Sequence, residues 1–148
     1  MDTSVFYGPF RPMFEFDSMM LLSMVLKGRI VILYSDTVKD EIKVADADVQ
    51  RFFKHIPHKY KEKVATTPEI RKLAETYIEE RVVGETSMED CLHIASATIH
   101  RADMLVSWNF KHIVNVCRIK GYNDINVRLG YTRLEIRTPT EALEYGHF

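Results

Sequence analysis

Apolar positions along the chain switch between two rhythms. Over residues 14–27 they recur at helical spacing, with Phe16, Met19, Met20 and Met24 on one stripe and Gly28 where a helix ends in a left-handed residue. Residues 30–34 then read IVILY, an unbroken apolar run rich in β-branched types that predicts a strand buried on both faces, as in a parallel sheet. Ser35 or Asp36 caps the next predicted helix, which carries Val38, Glu41 and Ile42. A short helix near 49–56 is stopped by Pro57, and Thr67 with Pro68 opens another whose stripe is Ile70, Leu73, Ala74, Tyr77 and Ile78. Ser87 begins a further helix. Residues 104–107 form the next predicted strand, 110–120 a helix ending at Gly121, RLEIR an alternating edge strand, and TPTEAL a capped final turn. Strands separated by helices in this order predict one three-layer α/β domain over 1–148 with a mainly parallel sheet.

Ligands of such sheets sit at the carboxyl ends of the strands. The strand over 30–34 delivers residues 35–41 to that edge, and the strand over 104–106 delivers Ser107 to Asn109. Asp90 reaches the same edge if its helix leads into the latter strand by a crossover, and Asp2 does so if the residues around it form a further central strand. Asp2, Glu41, Asp90 and Asn109 are therefore candidates for a cluster of hard oxygen ligands, which suits Mg²⁺ or Mn²⁺. Each has a plainer reading. Ser87 to Asp90 is a passable capping box, Glu41 beside Asp40 belongs on a solvated face, and Asp2 is a terminal residue. His93 and His100 share a helical face, but no third nitrogen or sulfur ligand is spaced to complete a zinc site. The basic run KHIPHKYKEK reads mainly as a solvated face, with Tyr60 giving it some character of a nucleic-acid contact.

Composition narrows the classes. Apolar residues are 46% and charged residues 28%, ordinary for a globular domain, and 20 basic against 21 acidic residues give no global attraction to polyanions. The longest apolar stretch, 19–26, is interrupted by Ser23 and falls short of the roughly 20 residues of a membrane span. MDTSVFYGPF lacks the parts of a signal peptide, and Cys91 with Cys117 form no disulfide or CxxC pattern, so the expected compartment is the cytoplasm.

MDTSVF, SDTVKDEI, EDCLHIASATIHRADMLVSWNFKHI and TPTEAL, in this order, resemble the PIN domains, and most of all the VapC-like toxins of bacterial and archaeal toxin–antitoxin pairs. The resemblance runs over essentially the whole chain and is most specific over residues 90–115. It implies a single domain, an α/β/α sandwich around a mainly parallel sheet, and an Mg²⁺- or Mn²⁺-dependent endoribonuclease. Such an enzyme is held in check by a cognate antitoxin and is commonly a homodimer. It places the family's first three acids on Asp2, Glu41 and Asp90, as metal ligands and catalytic residues. The fourth position, usually an aspartate, falls on Asn109, which offers a neutral carbonyl oxygen in place of a charge and implies weaker metal binding. Ser4 and Ser107 are the supporting hydroxyls, and Lys111 the expected substrate contact. The alternative reading is a PIN-like domain that binds RNA or a partner protein without efficient catalysis. In the family the first acid closes a central strand, yet only Met1 precedes Asp2. A longer form with an apolar run upstream is therefore expected, with the Met1 ammonium of the present form competing against a cation for Asp2.

Overall fold

Helices and parallel strands alternate as the pattern requires, but the strands are shorter than expected and do not form one sheet. In the computed structural model, which describes residues 1–84 and 87–146, the helices are α1 (Thr3–Tyr7), α2 (Glu15–Leu26), α3 (Asp36–Lys43), α4 (Ala47–His55), α5 (Pro68–Glu79), α6 (Met88–Ile99), α7 (Val116–Arg128) and α8 (Pro139–Tyr145). The strands are β1 (Ile32–Ser35), β2 (Lys61–Val64), β3 (Leu105–Val106) and β4 (Ile136–Arg137). Among the described residues β1 pairs in parallel with β2, Ile32 opposite Lys61, and β3 pairs in parallel with β4, Leu105 opposite Ile136. The protein is thus a mixed α/β molecule with two small parallel sheets, where a single mainly parallel sheet was expected.

Local chemistry explains most element ends. Ser35 and Thr67 accept the backbone N–H groups of Val38 and Ile70, and Thr138 with Glu141 forms a complete capping box on α8. Gly28 follows α2 at φ 73°, the conformation anticipated for it. Gly121 does not end a helix. It lies inside α7, where a Cβ would come within 2.9 Å of a Val82 methyl, so glycine is kept for close packing against that loop. Ser87 leads into α6, but its hydroxyl makes no capping bond and is buried without a partner, so the expected capping box is absent.

One core gathers α5, α6 and α7 with β3 and β4 around Ile70, Tyr77, Ile94 and Tyr122. A second gathers α1 to α4 with β1 around Phe6, Leu22, Ile32 and Val38. Val5, Leu21, Val106 and Ala142 join them. The stripe expected on α2 is not the buried one. Leu21, Leu22 and Val25 enter the core, whereas Phe16 is 75% exposed and Met19 46%. A helix apolar on nearly every side leaves the choice of face to its neighbours. The basic run is also more than a solvated face, because its second half is β2 and the buried Lys61 ammonium donates to the Phe53 carbonyl at 2.7 Å. The stretch IVILY is not buried on both faces either. Val31 is 52% exposed and Leu33 half-buried, because one side of β1 faces an open groove.

Candidate active site

Asp2, at the front of the chain, is 5% exposed rather than frayed. Its backbone N–H donates to the Val106 carbonyl at 3.2 Å, which ties the amino terminus to β3. Its carboxylate accepts the Ser4 hydroxyl at 2.6 Å, and the Ser107 hydroxyl also reaches it. Ser4 in turn accepts the Trp108 backbone N–H at 2.9 Å, while Ser107 accepts that of Asn109 at 2.9 Å. The two hydroxyls picked out by the sequence therefore stitch the start of α1 to the turn after β3. Trp108 anchors this turn by donating its indole N–H to Ser18 of α2 at 2.8 Å and stacking on Phe14 at 4.3 Å.

Asp90, in the first turn of α6, accepts the side-chain N–H of Asn109 at 3.1 Å. The orientation of Asn109 is set by its other end. Its Oδ1 accepts the backbone N–H groups of Lys111 at 3.2 Å and His112 at 3.0 Å, so the nitrogen is the atom turned to Asp90. Asn109 thus acts as a donor to the acid beside it, and its carbonyl oxygen is already occupied. Lys111 is exposed at the rim of the same turn.

Glu41, on α3, meets His93, a histidine whose spacing in the sequence completes no zinc site. His93 of α6 is 6% exposed, and its Nε2 stands 2.9 Å from the Glu41 carboxylate. Residues 90 and 93 are three apart on one helix, so Asp90 and His93 share a face. That spacing was the available signal. Burial pushes the His93 imidazolium toward losing its proton, but the Glu41 hydrogen bond and the charges of Asp2, Glu41 and Asp90 outweigh it and leave its pKa raised. Burial raises the Asp2 carboxyl above the ordinary carboxylate range, opposed by the His93 charge and the two serine hydroxyls. Burial likewise raises Asp90, with His93 and His112 opposing and the charges of Asp2 and Glu41 adding to the rise. His93 thus stands among all three acids, and Asp90 feels the charges of the other two.

The donor set, hard oxygens whose charges repel one another in a partly buried site, has the chemistry a divalent cation relieves. As they stand, Glu41 is turned onto His93 and Asp90 onto Asn109, and among the described residues no three His, Cys, Asp or Glu side chains are arranged as a group that could hold a metal ion. A cation entering here has His93 and the Asn109 amide as competitors. His100 lies apart, with Nε2 2.9 Å from the Ala65 carbonyl.

Comparison of the chain with protein-family models, with curated proteins and with solved structures found no match.

Proposed function

We propose that the chain is a metal-dependent endoribonuclease of PIN type, hydrolysing RNA phosphodiesters with Mg²⁺ or Mn²⁺ and held in check by a cognate antitoxin. One observation carries the reading: acids from three separate elements gather past β3, with Glu41 bonded to His93 at 2.9 Å, Asp90 bonded to Asn109 at 3.1 Å, and Asp2 tied to Val106 at 3.2 Å. Asp2 and Asp90 are the first ligands, and Glu41 joins them by releasing His93. Asn109 aims Asp90, Ser4 and Ser107 hold Asp2, and Lys111 meets a phosphate at the rim. When bound, a divalent ion supplies Lewis acidity toward the phosphoryl oxygens and lowers the pKa of an attacking water. The assembly suited to this role is a cytoplasmic homodimer, and the exposed Met13, Phe16 and Met19 are adaptable apolar surface for such pairing.

A second reading, a domain of this fold that binds RNA or a partner protein without efficient catalysis, is favoured by the engagement of Glu41 with His93 and by the amide at 109. The experiment that separates them is cleavage of labelled total RNA with Mn²⁺ or with chelator, by the native chain and by Asp90→Asn. The nuclease reading expects cleavage that needs the metal and is lost in the variant while the melting temperature shifts little. RNA binding with no metal-dependent cleavage would establish the second reading. Cleavage by the variant at the native rate would remove Asp90 from the site.

A further inference from the structure

A groove of about 810 Å³ separates the two small sheets. Residues 29–33 line one wall and residues 100–106 the other. Among the described residues β1 pairs only with β2 and β3 only with β4, so the edges turned to the groove carry no neighbouring strand. The amino terminus bridges the gap at one end. The Met1 amino group donates to the Leu33 carbonyl at 3.5 Å, and the next N–H, that of Asp2, donates to the Val106 carbonyl on the opposite wall at 3.2 Å. Successive N–H groups aimed at opposite neighbours are the alternation of a strand inside a sheet. Asp2 then enters α1 as Ser35 enters α3, and its carboxylate meets Ser107 just past β3, so Met1 and Asp2 run parallel to both walls.

We propose that this groove is the seat of one more β-strand, an apolar extended segment of about four or five residues joined to the amino group of Met1. It runs between β1 and β3 and turns the two small sheets into one parallel sheet. Each wall is long enough for such a segment, since the lining runs over residues 29–33 on one side and 100–106 on the other. The walls match in chemistry, for Ile30, Val31, Leu33, Met104 and Leu105 line the groove. Arg29, Arg101 and Asp103 stand at the amino ends of the walls, where the segment enters from solvent. The join to Met1, rather than a separate peptide, follows from the terminal nitrogen. Met1 lines the groove and its nitrogen already donates to the Leu33 carbonyl, so a chain continued from it runs on between the two walls. In a continuous chain this nitrogen is an uncharged amide N–H already aimed at Leu33. A separate peptide leaves the Met1 ammonium in place and brings a second chain end against it.

The inference does not rest on the nuclease reading, and its readouts are stability and backbone protection. The full chain is compared with versions carrying five residues ahead of Met1, one rich in Val and Ile, one alternating Val and Thr, and one of Gly and Ser. Two apolar versions are used so that aggregation of one does not decide the result. At least one apolar version should raise the melting temperature by about 5 °C or more and slow amide exchange in residues 30–33 and 104–106 about tenfold. The Gly-Ser version should do neither. The inference is overturned if both apolar versions melt with the Gly-Ser one, or if exchange in those two stretches is unchanged. A free acetylated and amidated Val-Ile peptide added to the full chain tests the join. Stabilisation equal to that of the joined segment would assign the groove to a separate chain and overturn the proposal, and weaker stabilisation upholds it.

Discussion

Replacing His93 with glutamine tests whether one imidazolium holds the acidic cluster together. Glutamine keeps a donor of similar reach toward Glu41, 2.9 Å away, but carries no charge. A hydrogen bond to a charged partner is worth about 1.5–3 kcal/mol against about 0.5–1.5 for a neutral one, so the direct loss is roughly 1–1.5 kcal/mol. The buried Asp2 and half-buried Asp90 lose the same counter-charge, whereas the Glu41 side chain, 32% exposed, recovers part of its loss from water. The expected total is about 2 kcal/mol at pH 6 without metal, a fall in melting temperature of roughly 4–8 °C for a chain of this size. The sign of the pH dependence is fixed by the raised pKa of His93. A basic group whose folded pKa lies above its unfolded value of about 6.5 stabilises fully below that value, and the contribution is lost as pH rises through the folded pKa. The difference between native chain and variant should therefore be largest at pH 6 and fall below about 0.5 kcal/mol by pH 9. The raised carboxyl groups of Asp2 and Asp90 act in the same direction, since each favours the protonated folded form and costs stability as pH climbs past its unfolded value. Urea melts in chelator at half-unit steps from pH 6 to pH 9 measure this. An equal difference at both ends, or none at pH 6, would show that His93 is not the charged partner of these acids.

Asn109→Asp sets a second carboxylate oxygen where the amide now stands 3.1 Å from Asp90; without metal it should cost about 2 kcal/mol, and Mn²⁺ should bind more tightly by calorimetry and restore the loss. A variant as stable as the native chain in chelator would separate residue 109 from the acids. Ser18→Ala removes the acceptor of the buried Trp108 indole N–H and should cost about 1–3 kcal/mol in urea melts, with the near-ultraviolet signal of the tryptophan changing alongside. An unchanged midpoint would show that the indole finds another partner. Light scattering at tens of micromolar should report a particle near twice the 17.3 kDa of one chain, shifted back to that mass by Met13→Lys with Phe16→Glu; a 17.3 kDa particle for the native chain would refute pairing.

What the sequence displayed most clearly was written in local chemistry. Thr67 with Pro68, Thr138 with Glu141, and the i, i+3, i+4 stripe of α5 depend only on neighbours along the chain, and each appears where the pattern put it. Gly28 belongs with them, because a left-handed φ after a helix is a local demand. The failures lie where a distant partner decides. Gly121 reads as a stop, yet Val82, far back in the chain, is what excludes a side chain there. The stripe Phe16, Met19, Met20 and Met24 is as apolar as the face that was buried, and only the neighbours of α2 choose between them. The candidate site divides in the same way. Asp90 and Asn109, placed near one another from the sequence, do meet, but Asp2 reaches β3 through its backbone bond to Val106 rather than by closing a strand, and the atom that Asn109 turns to Asp90 depends on two backbone N–H groups in a turn that reads as helix in the sequence. The spacing of His93 completes no zinc geometry, and its part as a counter-charge shows only where α3 brings Glu41 to it. The helix that carries Asp90 in its first turn also places His93 three residues on, on the same face, and burial then makes a lone imidazole among acids more consequential than any cap. A titratable residue three positions from a candidate acid is therefore better tested first as its partner than as the start of a second site.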